Sequence, residues 1–255
     1  YARLARAPEP GDPWPQAMRD AFVELLGGGH DAIRVIEALD HTGLWERYLP
    51  EWAGVRHKPQ RNAYHRFTVD RHLLETTANA AALVDRVERP DLLLFGALLH
   101  DIGKGRPGDH TEVGMAMVAE IGPRLGYPPE DVAILVDLVR HHLLLPDVAT
   151  RRDISDDATV AAVAAAVGDP IRLHLLAALT EADSLATGVA AWGRWKADLV
   201  HELTRRVDHY LAGGDLAALV THEFPDAAQR DLLAAGETVV EAGGDVITVV
   251  APDRP

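Results

Sequence analysis

The chain has 255 residues, with 47% hydrophobic and 25% charged side chains and a formal charge of −14. That length supplies a core for one large domain or two modest ones, and the composition is ordinary for a water-soluble chain. The charge excludes a general nucleic-acid or anionic-membrane surface, which needs clustered Lys and Arg, but leaves room for a local basic pocket around one phosphate.

No cysteine is present, so disulfides and thiolate metal sites are excluded. There is no signal peptide and no run of about 18 apolar residues. These features point to a cytoplasmic protein with neither a membrane nor a nucleic acid as partner. The chain begins YARLARAPEP without Met and ends APDRP, which reads as a piece of something longer.

Residues 1–15 are Pro-rich and expected to be extended. Short helices are expected over 17–26 and 31–42, with Gly27, Gly28 and Gly29 between them as a linker or helix cap. The stretch 46–67 holds two prolines and reads as an irregular connection. Thr68 can cap a helix whose positions Leu73, Thr77, Ala80, Val84 and Val87 recur at helical spacing. After Pro90 comes the apolar run DLLLFGALLHDIG and a glycine-rich turn. Further helices are expected over 110–121, 130–144, 157–167, 170–186 and 189–212, and a lone strand over 245–252. The fold class is therefore all-α with a C-terminal β-strand stub.

Several polar residues occupy positions where apolar ones belong. Asp101 lies four residues after Ala97 and seven after Leu94, on their helix face. Asp183 stands in the same relation to Leu179 and Leu176, and His142 follows Val139 and Leu135. A carboxylate or imidazole directed inward must be paired or bound to something, and neutral imidazole is a common metal ligand. A single buried histidine is usually a hydrogen-bonded core residue, which is the reading for His174. His30, His41, His57, His201, His209 and His222 read as surface residues. The ordered set His72, His100-Asp101, His110, His141-His142 and Asp183 is a different matter, because the joint pattern is improbable by chance. His65 competes with His72 for the first place, and His72 is preferred because TVDRH sets it in a helix.

The order H…HD…D resembles the HD superfamily of metal-dependent phosphohydrolases. YHRFTVDRH, LLHDIGKGRPGDHTEVG, VRHHLLLPDVATRRDI, WGRWKADL and WERYLPEWAGVRHKPQ are similar to the hydrolase region of the bifunctional PII uridylyltransferase/uridylyl-removing enzymes. The resemblance implies an HD-domain helical bundle with flanking helices. Its divisions are an N-terminal connecting region over 1–64, the HD domain over 65–212, a helical linker over 213–244 and the start of an ACT domain over 245–255. No Gly-Ser loop with a following pair of Asp residues is found, so the resemblance implies removal of a nucleotidyl group and not its attachment.

The resemblance also implies a ligand set. His72, His100, Asp101 and Asp183 would hold one divalent metal, and Asp101 would bridge to a second held by His110, His141 and His142. Mn, Fe, Co, Zn or Mg are the candidates. Asp101 and Lys104 are the expected catalytic residues, with Lys104, Arg151 and Arg152 as phosphate contacts. The substrate would be UMP or AMP esterified to a tyrosine of the PII protein, with glutamine sensed by ACT domains beyond this chain. Trp192, Trp195 and Lys196 share a helical spacing and read as core packing. IGKG over 102–105 lacks the Walker spacing and is not a phosphate loop. Two rivals stand beside this reading: an HD hydrolase of a cyclic dinucleotide or alarmone, and a non-catalytic metal-binding signalling module.

Overall fold

The computed structural model describes residues 10–60, 66–188, 190–219, 227–235, 238–243 and 246–251. His65 and His222 therefore lie outside the described residues. The chain divides into two compact units, Tyr1–Gly213 and Gly214–Pro255.

The first unit is built around one helix, α5 (Pro90–Leu99), which is apolar on every side and buried from Leu92 to Leu99. A helix without a polar face can only sit inside other helices. Around it pack α1 (Gln16–Gly27), α4 (Val69–Ala81), α7 (Pro129–His141) and α10 (Pro170–Thr187). Gly96 lets α7 come close, since a Cβ there would stand 2.6 Å from Leu138 Cδ1. The helix α6 (His110–Arg124) packs along α7, and α11 (Arg194–Leu211) packs on α8 (Leu144–Arg151), α9 (Asp157–Val167) and α10.

Most expected helices form, with instructive differences. The helix expected over 130–144 ends at His141, and an unforeseen α8 follows. The break falls at His142, whose ring Nδ1 lies 2.7 Å from the Val139 carbonyl and takes up one of the acceptors that a helix end leaves open. Thr68 does occupy the N-cap position of α4, but its side chain makes no capping bond there. Residues 46–60 are less irregular than their prolines suggest, and 61–65 lie outside the described residues. They contain the end of α3 (Leu44–Tyr48) and a 3-10 turn over Pro50–Gly54.

Aromatic packing accounts for that order. Trp14, Phe22, Trp45 and Trp52 form a chain of rings at centroid distances of 4.6, 5.6 and 5.8 Å. Trp14 is buried, and its backbone N–H bonds the Arg124 carbonyl at 2.8 Å, so the chain is anchored at residue 14.

The second unit holds α12 (Ala227–Ala235) and an antiparallel pair, β1 (Val239–Gly243) and β2 (Val246–Val250), in the register Val239 to Val250. The strand expected at the C-terminus thus has a partner in a stretch expected to be helical linker. VVEAG offers only one clear alternation and ends in glycine, too short a signal to separate strand from helix.

No single helix among the described residues is long and apolar enough to cross a membrane.

Candidate metal centre

The ends of α5, α6 and α7 and the interiors of α4 and α10 bring their polar residues to one place. His72 sits in the first turns of α4, where its backbone N–H bonds the Thr68 carbonyl at 2.8 Å. His100 is the C-cap of α5, and its Nδ1 lies 2.9 Å from the Ala97 carbonyl. That contact turns Nε2 toward the other helices, as the Val139 contact does for His142. His110 opens α6, behind an Asp109 cap that accepts from the Thr111 and Glu112 N–H groups at 3.0 Å each.

Asp101 occupies the centre. Its Oδ2 faces His100 Nε2 at 3.5 Å and His72 Nε2 at 3.8 Å, while its Oδ1 faces His142 Nε2 at 3.7 Å and His110 Nε2 at 3.8 Å. Asp183 on α10 completes the first side, with Oδ1 at 2.9 Å from His72 Nε2 and 3.6 Å from His100 Nε2. Two donor groups result, His72–His100–Asp183 and Asp101–His110–His142, each with ligand atoms within 4.8 Å of one another. Lys104 Nζ contacts Asp101 Oδ2 and reaches Gln60 Oε1 at 3.3 Å.

The set fits a divalent cation. His100 Nε2 and Asp101 Oδ1 are buried without a hydrogen-bond partner among the described residues, a costly state that a cation would relieve. Burial alone would lower the His100 imidazolium, but the Asp101 and Asp183 carboxylates override it and raise the group to about 10. Burial opposes ionisation of Asp101 too, yet His100, Lys104 and His142 hold it well below the usual carboxylate range. Asp183 is likewise held low against burial, by His100 and His72. The site therefore keeps its two carboxylates ionised and crowds positive charge around them. Burial pushes His142 below its ordinary value, leaving a neutral ring suited to ligation.

Beside these groups opens a cavity of about 930 Å³, lined by Asp101, His110, His142 and Asp183 among others. The volume suits a nucleotide-sized ligand.

Residues 69–187 match the family model described as "HD domain". Over these residues the chain is similar to HD domains. It is 55% identical over 257 residues to the bifunctional uridylyltransferase/uridylyl-removing enzyme of Streptomyces coelicolor, covering 99% of this chain and 30% of that protein. The enzyme of that name from Mycobacterium tuberculosis is 52% identical over 84% of this chain and 27% of its own length. The one from Corynebacterium glutamicum is 40% identical over 80% of this chain and 29% of its own. The chain thus spans about 30% of the length of the relatives it matches.

Within the matched span, six of the seven expected ligands converge, and His141 does not. Its half-buried ring lines a small separate pocket with Asp137, Leu138, Val167, Arg172 and Leu176, where burial lowers its pKa. Adjacent residues on one helix point about 100° apart, so only one of His141 and His142 can face the centre. Arg151 and Arg152, at the end of α8, are exposed and do not line the cavity. Arg151 pairs instead with Asp147 at 3.5 Å.

Other residues line the cavity that were not among the expected contacts. Lys58, Gln60, Ser184 and Thr187 belong to it, as does Lys196, which the sequence suggested was core packing. Trp195 is 67% exposed, so the spacing of Trp192, Trp195 and Lys196 does not mark a buried face. His174 is hydrogen-bonded as expected, 3.0 Å from Asp208, but only half-buried.

Proposed function

We propose that this HD domain is a metal-dependent phosphodiester hydrolase that removes a nucleotidyl group, UMP or AMP, from a tyrosine of the PII nitrogen-regulatory protein. The observation that carries the reading is the arrangement at Asp101, one carboxylate whose two oxygens face two separate sets of donors. His72, His100, Asp101 and Asp183 would hold one divalent cation, and Asp101, His110 and His142 a second, drawn from Mn, Fe, Co, Zn or Mg. Bound there, such cations supply a hydroxide nucleophile at neutral pH and neutralise phosphoryl charge.

The chain's own residues supply position and field. The backbone contacts of His100 and His142 hold a proton on Nδ1 of each ring and turn Nε2 toward the centre. Lys104 stands at the cavity wall, placed to meet a phosphoryl oxygen. A tyrosine leaves as a phenolate with pKa near ~10, so less is demanded of a general acid than for a serine ester.

The names of the relatives support uridylyl removal as the form of the reaction. On the same reading the chain works in the cytoplasm. Residues 245–255 would open an ACT domain, and glutamine would be sensed by ACT domains beyond this chain.

Elemental analysis of the purified protein, together with release of UMP or AMP from modified PII, tests the proposal. Bound metal with nucleotide release supports it. Cleavage of a cyclic dinucleotide or alarmone without action on PII overturns the substrate, and metal with no phosphodiester cleaved overturns catalysis.

A further inference from the structure

The chain holds 25 basic residues, of which three are lysines: Lys58, Lys104 and Lys196. All three line the one cavity beside the metal centre. They come from three separate segments: the connection before α4, the turn after α5, and the first turn of α11.

The arginines are used differently. Arg56, Arg71, Arg89, Arg124 and Arg172 each contact a carboxylate at 2.6–3.0 Å, the geometry to which a planar guanidinium is suited. Lys104 is joined to Asp101. Among the described residues, neither Lys58 nor Lys196 has a carboxylate within 4.0 Å, although both are half-buried and the chain is strongly acidic.

Both lysines are also held in place by backbone. The Lys58 N–H bonds the Val55 carbonyl at 3.0 Å, and its own carbonyl accepts from Val69 N–H at 2.8 Å, at the start of the helix that carries His72. Lys196 lies three residues past Gly193, the N-cap of α11.

We propose that Lys58 and Lys196 form an anion cradle in the cavity wall that binds the phosphate of the nucleotide independently of any metal. An ammonium that is partly withdrawn from water with no carboxylate in contact is unfavourable, and a phosphate between two such groups relieves that penalty. Burial pushes Lys196 below its ordinary value despite Asp183 and Asp147, in keeping with a cation short of a close partner. The inference rests on the hydrolase reading for the nature of the ligand, but its test needs no turnover.

Binding of UMP, AMP, uridine and inorganic phosphate to chelator-treated protein would be measured by calorimetry for the wild type, Lys58→Ala, Lys196→Ala and the double variant. Circular dichroism and melting would confirm that each variant is folded. The expected result is that UMP and AMP bind the wild type, and that each substitution weakens them about tenfold. Uridine should be weak and indifferent to both changes, and Lys196→Arg should restore part of the loss. Unchanged UMP affinity in the folded double variant would overturn the cradle. So would an equal loss of uridine binding, which would assign the lysines to the base or sugar. Inorganic phosphate binding that depends on both lysines supports the cradle even if modified PII is not a substrate, so failure of the proposed function would be seen separately.

Discussion

His142 Nε2 stands 3.7 Å from Asp101 Oδ1, the oxygen of that carboxylate that His100 does not face. Asp101 therefore faces both donor groups, whereas each histidine belongs to one. Asp101→Ala should abolish metal binding at both groups, while His142→Ala and His72→Ala should each halve the metal content. Losses in affinity should exceed the roughly 10–100-fold that an outer-sphere partner costs. Elemental analysis after dialysis reads the stoichiometry, and unchanged helical circular dichroism guards against unfolding. Equal loss in all three variants would remove the bridging role from Asp101.

The turn that carries Lys104 is set by a close backbone approach. A Cβ on Gly103 would lie 2.0 Å from the His110 carbonyl oxygen and 2.5 Å from the Gly114 nitrogen. Neither is the end of a flexible side chain, so the turn and the start of α6 must part. Gly96→Ala meets only Leu138 Cδ1, at 2.6 Å, which can turn aside. Gly103→Ala should lower stability by about 1–3 kcal/mol and weaken metal binding at His110. Gly96→Ala should lower stability less and leave metal binding unchanged. Denaturant unfolding and metal titration of the two variants make the comparison, and equal behaviour would discount the steric argument.

The helical bundle and the centre of the site were legible because they rest on local pattern. His100 and Asp101 end an apolar run, and Asp183 repeats the relation of Asp101 to its own helix. What the pattern could not carry was direction at a helix end. His141 and His142 are equivalent as letters, and the choice depends on how α7 terminates, which the Val139 contact decides. Arg151 and Arg152 follow the His141-His142 pair by ten residues, but α8 carries them to an exposed end. Lys58 and Lys196 reach the cavity from segments 138 residues apart, a relation only the fold creates. Their rarity among the basic residues was visible in the sequence and could have directed attention to them.

Acid should loosen the N-terminus of α5 in a defined way. Burial opposes ionisation of Asp91, but the Arg89 guanidinium, bonded to its carboxylate at 2.9 and 3.0 Å, holds it below its ordinary value. A carboxyl whose folded pKa is lowered adds stability above its unfolded pKa of about 3.9, and that stability is lost as pH falls through the folded value. Because Arg89 is 34% exposed and keeps Asp131 as a second partner, the contribution is small, roughly 1 kcal/mol. Asp91→Asn should therefore cost about that much at pH 7 and progressively less below pH 4. Urea unfolding of wild type and variant across this range is the check, and a penalty independent of pH would discount the ion pair.

Metal should also appear in the thermal stability of the unit. Among the described residues His100 Nε2 and Asp101 Oδ1 are buried without hydrogen bonds, and a cation that binds the folded chain alone must stabilise it. At a hundredfold excess over the dissociation constant the gain is about 2.7 kcal/mol, which for a chain of this size raises Tm by roughly 5–10 °C. Chelation should remove that increment without unfolding the bundle, because Lys104 already supplies Asp101 with a counter-charge. Readdition should restore it in proportion to the logarithm of metal concentration, and His100→Ala should flatten the response. A wild-type Tm that does not move with metal or chelator would mean that the two donor groups are not a binding site for the cation added.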